Sequence, residues 1–62
     1  MDHEPLMTVD ALAEYLGVPK RSVYSWLRDG TAPPSFKVGK YRRFRRADID
    51  AWLDDRRDTP TA

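Results

Sequence analysis

The sequence predicts a small, mainly α-helical domain with one β-hairpin, in the order helix, turn, helix, two-stranded hairpin, helix. Three observations lead to this fold class. Apolar residues recur at helical spacing in three segments, which is the pattern of amphipathic helices. Glycine and proline stand between these segments, where they interrupt helices. Before the third segment, residues 35–45 place apolar and basic residues around a Gly-Lys pair, as in a hairpin.

The length of the chain predicts one domain with a thin core. A folded chain of 62 residues buries only about 60% of the surface that its unfolded form exposes. There is no cysteine, so neither a disulfide framework nor a Cys-ligated zinc site can strengthen the fold. We expect a single domain over residues 1–62, with an ordered core of about residues 6–57.

The first helix begins after Thr8, whose hydroxyl can accept a hydrogen bond from a free N–H of the first turn. One apolar face follows, made by Val9, Leu12, Ala13 and Leu16. Gly17 stands where a left-handed C-cap is expected, and Pro19 prevents the helix from continuing. The segment from Gly17 to Pro19 is therefore a turn of about three residues.

The second helix is predicted from about Lys20 to Arg28. Its buried stripe consists of Val23, Trp26 and Leu27, and its other faces are polar and basic. Gly30 ends it, and Pro33-Pro34 fix an extended connector. Two short helices joined by a tight turn, the second with a basic front, form a helix-turn-helix, in which the second helix enters the DNA major groove.

The hairpin over residues 35–45 has two possible registers. A two-residue loop, Gly39-Lys40, suits a type II′ turn but places Phe36 and Val38 on one face and Phe44 on the other. A three-residue loop, Gly39 to Tyr41, places these three apolar residues together. Arg42 then shares their face, and Lys37, Arg43 and Arg45 point outward. We favour the longer loop because it buries the apolar residues on one side.

The third helix is predicted from about Ala47 to Arg56. Its apolar stripe is Ile49, Trp52 and Leu53. Asp48 and Asp50 near its start, and Arg56 and Arg57 near its end, match the helix dipole. Arg46 stands at the expected N-cap position, where it is a poor capping residue.

Charge is strongly segregated along the chain, although the formal net charge is only +1. Residues 1–19 contain four acidic residues and no Lys or Arg, a net charge of −4. Residues 20–46 contain nine Lys and Arg and one Asp, a net charge of +8, and residues 47–62 have a net charge of −3. A basic middle between acidic ends predicts one surface that faces a polyanion.

These observations predict contacts with double-stranded DNA from the second helix and from the hairpin, which is thin enough to approach a minor groove. Arginine reads the O6/N7 edge of guanine, and phosphate contacts supply affinity that depends on salt. The candidate contacts of the second helix are Lys20, Arg21, Ser22, Tyr24, Ser25 and Arg28. Those of the hairpin are Lys37, Lys40, Tyr41, Arg42, Arg43 and Arg45.

Other chemistries find little support in the sequence. His3 is the single histidine, which makes a metal site improbable. The serines have no plausible histidine base, which argues against a catalytic triad. We therefore expect neither an enzyme nor a cofactor. No apolar run approaches the ~20 residues that span a membrane, and the acidic start does not have the pattern of a signal peptide. We expect a cytoplasmic protein.

The segments TVDALAEYLGV–SVYSWL and KVG–RRFRRADIDAWL resemble the excisionase-type, MerR-like winged helix-turn-helix proteins. The resemblance covers residues 6–53. It implies that the second helix sits in the major groove and the wing, the two-stranded hairpin, in an adjacent minor groove. Two positions depart from the family's pattern: Pro19 stands at the start of the second helix, and Arg42 stands where the wing often has Trp.

The resemblance implies two possible functions. A third possibility, a protein-interaction module, belongs to a different class of function. An excisionase binds attachment-site DNA side by side with neighbouring copies, bends it and directs an integrase toward excision. A MerR-like transcriptional regulator usually adds a dimerisation helix and an effector domain. The chain extends about nine residues past its last helical apolar residue, so we expect the excisionase, monomeric without DNA. A protein-interaction module, the third possibility, leaves the basic helix and wing unexplained.

Overall fold

The computed structural model describes residues 5–57 and contains three helices and a two-stranded sheet. The helices are α1, Val9–Leu16, α2, Lys20–Asp29, and α3, Arg46–Asp55. The strands β1, Ser35–Val38, and β2, Tyr41–Phe44, form an antiparallel hairpin between α2 and α3. The predicted order of elements and the predicted fold class are confirmed. His3 and the chain ends, residues 1–4 and 58–62, lie outside the described residues.

The caps of α1 and α2 follow from local sequence. The Thr8 hydroxyl accepts a hydrogen bond of 3.0 Å from the Ala11 N–H, which satisfies one of the free donors of the first turn. Gly17 and Gly30 end α1 and α2 in the left-handed conformation, with φ of 72° and 77°. Pro19 is the N-cap of α2 and has an extended backbone, so that α2 starts directly after it.

The start of α3 differs slightly from the prediction. Its N-cap is Arg45 rather than Arg46, and the cap side chain makes no hydrogen bond to the helix. The first helical residue is therefore Arg46, one residue earlier than expected. Arg45 has extended backbone angles because it continues directly from β2.

A small core lies where α1, α2, β2 and α3 meet. It is formed by Val9, Leu12, Ala13, Val23, Phe44 and Ile49, with half-buried residues such as Trp26, Leu27 and Leu53 packed around it. Phe44, the largest side chain of the core, is fully buried. It is held in place by a backbone pair with Met7: Met7 N–H donates to Phe44 O over 2.7 Å, and Phe44 N–H donates to Met7 O over 2.9 Å.

The hairpin has the shorter of the two loops, so the preference for a three-residue loop is wrong. Val38 pairs with Tyr41, and Phe36 pairs with Arg43, which leaves Gly39 and Lys40 as the loop. Gly39 has φ of 64°, and no residue other than glycine has positive φ in the described part of the chain. This pattern fits a type II′ turn.

This register divides the apolar residues of the hairpin between its two faces, because paired residues point to the same side. Phe44 and Arg42 lie on the face that meets the core. The opposite, outer face holds Phe36, Val38, Tyr41 and Arg43. Lys37 and Arg43 therefore lie on opposite faces, whereas the longer loop placed them together. Of the two hairpin phenylalanines, Phe44 is fully buried in the core and Phe36 is exposed.

Two aromatic contacts fix α3 to the other helices. The rings of Trp26 and Trp52 lie 5.6 Å apart, and Trp52 Nε1 donates a hydrogen bond of 3.1 Å to the carbonyl of Thr31. On the other side of α3, the Tyr15 hydroxyl donates a hydrogen bond of 2.7 Å to Asp50 Oδ1. Together these contacts hold α3 against α1, against α2 and against the segment that follows α2.

Candidate nucleic-acid interface

The outward side of α2 is polar along its whole length. Arg21, Ser25 and Arg28 recur at i, i+4 and i+7, which places them on one face. That face is opposite Val23, which is fully buried. The sequence folds this way because the apolar stripe of α2 is narrow: Val23 is buried in the core, and Trp26 and Leu27 pack half-buried beside it.

The cations of this face have weak intramolecular partners. Arg28 lies 4.0 Å from a carboxylate oxygen of Asp29 and 3.4 Å from the Ser25 hydroxyl, and its side chain is well exposed. Such exposed pairs contribute about 0–1 kcal/mol. Arg21 is exposed and makes no hydrogen bond or ion pair with the other described residues. Both side chains are therefore available to an external anion or hydrogen-bond acceptor.

Lys20, at the start of α2, is paired with α1. Its Nζ lies 3.1 Å from Asp10 Oδ1, and both side chains are more than half exposed. The hydrogen bond to Asp10, and then the negative charge of that carboxylate, raise the pKa of Lys20 above its ordinary value of 10.5. Lys20 therefore carries a positive charge at neutral pH and is held on the α1 side of the helix.

A cleft joins α2 to the hairpin. Its volume is about 260 Å³, and its walls are the start of α1, one tyrosine of α2 and the tip of β2: Thr8, Val9, Asp10, Tyr24, Lys40, Tyr41, Arg42 and Arg43. Tyr24 and Tyr41 are both more than half exposed. The cleft thus combines exposed aromatic rings and cations, the side chains that contact bases and phosphates in nucleic-acid interfaces.

The outer face of the hairpin is lined with cations that cover aromatic rings. Arg43 lies over the ring of Tyr41 at 5.1 Å, and Lys40 lies near the same ring at 5.9 Å. Arg45 lies over the ring of Phe36 at 4.8 Å. Stacking of this kind orders the guanidinium groups. Arg43 Nη1 also donates a hydrogen bond of 2.9 Å to the carbonyl of Arg42.

The remaining two candidates of the hairpin lie on its other face. Arg42 Nη1 donates a hydrogen bond of 3.1 Å to Ser35 Oγ, across the two strands. Lys37 pairs with Arg42 in the register and is exposed. The positive charge of the hairpin is consequently spread over both faces rather than one.

The structure brings some of the predicted DNA-contacting residues together in the cleft. Tyr24, Lys40, Tyr41, Arg42 and Arg43 line the cleft, and Lys20 contacts its wall through Asp10. Ser22, by contrast, is half-buried on the far flank of α2. Lys37 and Arg45 lie on the hairpin, outside that cleft.

Sequence reasoning missed the contribution of α1 to this region. Asp10 had been counted as part of an acidic N-terminal segment, yet it lies within the cleft and pairs with Lys20, ten residues later. No local spacing rule connects residues on two different helices. The tight turn from Gly17 to Pro19, which brings the two helices together, was the available signal.

Within residues 5–57 there is no group of three or more His, Cys, Asp or Glu side chains placed to hold a metal ion. None of the helices in that range is both long enough and apolar enough to cross a membrane.

Three helices with a two-stranded hairpin between the second and third, and an exposed basic face on the second, define a winged helix-turn-helix domain. Residues 6–57 match the family described as "Helix-turn-helix domain", and the chain belongs to that family. Membership in it suggests that the protein binds DNA and is not a catalyst. A search of the curated proteins found no match to the chain.

Proposed function

We propose that this protein is a sequence-specific binder of double-stranded DNA that acts as an excisionase. In this proposal α2 enters the major groove and presents Arg21, Ser25 and Arg28 to the bases. The wing, Ser35 to Phe44, lies in the adjacent minor groove. The observation that carries the proposal is the cleft between them, because Tyr24 of α2 and the cations of the hairpin tip line it together.

The contacts are expected to divide into two kinds. Arg21 makes no hydrogen bond or ion pair within the described residues, so it is the best candidate to read a guanine edge. The wing cations Lys40, Arg43 and Arg45 lie over or beside aromatic rings and are suited to phosphates and to the negative potential of a narrow minor groove. Affinity would then come mainly from the wing, and sequence discrimination mainly from α2.

The excisionase role adds two partners, an integrase and neighbouring copies on DNA. It is supported by the resemblance of the two sequence blocks, TVDALAEYLGV–SVYSWL and KVG–RRFRRADIDAWL, and by the segregation of charge along the chain. The basic segment of one copy and the acidic segments of the next could attract each other when they bind side by side. We propose that the protein is a monomer without DNA, which sedimentation at several concentrations tests directly.

The alternative is a small MerR-like transcriptional regulator, because the resemblance covers that group as well. Selection of bound duplexes from a random pool, followed by footprinting, distinguishes the two. Direct repeats occupied cooperatively by several copies are the result expected for an excisionase. Inverted repeats occupied by two copies would contradict it and favour a dimeric regulator. If no duplex were enriched over the starting pool, sequence-specific DNA binding itself would be refuted.

A further inference from the structure

The outer face of the hairpin carries apolar side chains that the core does not use. Val38 and Tyr41 form the last cross-strand pair before the turn and are 54% and 55% exposed. Phe36, on the same face, is 37% exposed. We call Phe36, Val38 and Tyr41 the wing strip. Neighbouring exposed apolar side chains at the tip of a slim hairpin are a feature of surfaces that bind a partner.

The cations around the wing strip indicate the chemistry of that partner. Arg43 and Lys40 lie against the ring of Tyr41, and Arg45 covers Phe36. The strip is therefore surrounded by positive charge. A partner that offers both flat apolar surface and regularly spaced negative charge matches this combination, and a DNA duplex offers both, in its base steps and in its phosphates.

The strip is also continuous with the candidate interface. Tyr41 and Arg43 belong to the wing's outer face and line the cleft beside Tyr24. DNA seated against α2 and the cleft would meet Tyr41 without any change in the fold. This continuity favours DNA over a protein as the occupant.

We propose that Val38 and Tyr41 form an apolar wedge that partly opens a base step in the minor groove when the wing binds. The proposal rests on the proposed function and adds to it the residues that distort the duplex. Gly39 and Lys40 form a loop of only two residues, so the side chains of the Val38–Tyr41 pair lie close to the tip. The preferred step is pyrimidine–purine, because such steps unstack and kink most easily.

The test uses the full chain and the duplex that was selected from the random pool. Footprinting shows which part of this duplex lies beneath the wing, and 2-aminopurine is placed in turn at the adenines there. Binding is followed by anisotropy, unstacking by 2-aminopurine emission, and bending by energy transfer between the duplex ends. The wild-type protein is expected to raise the emission at one step and to bend the duplex. Tyr41→Ala and Val38→Ala are each expected to reduce both signals, and Tyr41→Ala to weaken binding roughly fivefold or more, as loss of a stacked ring does.

Tyr41→Phe is the matched control, because it keeps the ring and removes only the hydroxyl, and it is expected to retain unstacking and bending. Both wedge side chains are more than half exposed, so the variants should fold, which their circular dichroism and melting curves verify. If Tyr41→Ala left emission and bending unchanged, the wedge would be refuted while DNA binding stood.

Two further outcomes overturn the proposal in distinguishable ways. If Tyr41→Ala reduced only the cooperativity between two adjacent sites, the wing strip would be a protein contact between neighbouring copies rather than a wedge. If the wild-type protein showed no binding by anisotropy to any duplex, the proposed function would fail and the wedge with it.

Discussion

Substituting leucine at the two phenylalanines of the hairpin tests the register that the structure assigns. Phe44→Leu removes about three carbon atoms from a fully buried site. At about 0.8 kcal/mol per buried CH₂, the free energy of unfolding should fall by roughly 2 kcal/mol. Phe36→Leu removes the same number of carbon atoms from the outer face, where the residue is 37% exposed and Arg45 lies over its ring. Because this residue is partly exposed, the burial that it loses is smaller than at Phe44, and the change should cost about 1–1.5 kcal/mol.

The size of the domain makes this difference measurable. At about 0.05–0.15 kcal/mol per residue, a 62-residue chain has a total stability of about 3–9 kcal/mol. Phe44→Ala, which typically costs about 3–5 kcal/mol, would use up the stability at the lower end of this range, whereas the loss of roughly 2 kcal/mol in the leucine variant stays below it. For a domain of this size each 1 kcal/mol shifts Tm by about 4–8 °C. We expect a decrease of roughly 8–16 °C for Phe44→Leu and a smaller decrease for Phe36→Leu.

The assay is thermal and urea unfolding, followed by far-ultraviolet circular dichroism and by the fluorescence of Trp26 and Trp52. Coincident transitions by the two probes are the test for two-state unfolding, which allows the free energies to be compared. Equal losses for the two variants would refute the reasoning. They are the result expected if a longer loop placed both rings on the face that meets the core.

Three further predictions concern charged residues. Replacing Arg43 and Arg45 by Ala should weaken binding to every duplex. It should also reduce the slope of log affinity against log salt by up to about two, since each lost phosphate contact contributes about 0.9. An unchanged slope in a salt titration would exclude these residues from phosphate contact. Arg21→Ala should cost about 1–3 kcal/mol on the preferred duplex and less on a duplex with the contacted guanine replaced, whereas equal losses on both would make Arg21 a phosphate contact. The third prediction concerns the free protein, in which the pKa of Lys20 is raised above 10.5 by its pair with Asp10. This pair therefore stabilises the fold fully below pH 10.5. Its contribution is lost as the pH rises through the higher pKa of Lys20 in the folded state. Asp10→Asn should therefore flatten the pH dependence of stability in that alkaline range, as measured by urea unfolding at a series of pH values, and an unaltered dependence would contradict the pairing.

The helices were predictable because their signals are local. Thr8, Gly17 and Gly30 act within one turn of the residues that they cap, and each does so as its residue type suggests. The apolar spacing of α1 and α2 needs no knowledge of the partner surface either. The front of α2 could be identified for the same reason, since the face opposite Val23 has to be solvent-exposed.

Contacts between elements could not be predicted in this way. The pair formed by Lys20 and Asp10, and the hydrogen bond from Tyr15 to Asp50, join residues that approach only after the helices pack. Arg45 became the N-cap of α3 because β2 runs directly into the helix, not because its side chain caps it. These features depend on the relative placement of elements, about which a pattern within one element contains no information.

The backbone contact between Met7 and Phe44 and the hairpin register together determine which apolar side chains the wing exposes. The two-residue loop, with Gly39 first, suits a type II′ turn, and the assumption that every apolar residue faces the core favoured the longer loop instead. The backbone pair between Met7 and Phe44 commits that ring to the core, and the two-residue loop then directs Phe36 and Val38 outward. With the longer loop they would lie beside Phe44, and the wing strip would not exist. The comparison of Phe44→Leu with Phe36→Leu therefore tests the structural basis of the wedge before any DNA is added.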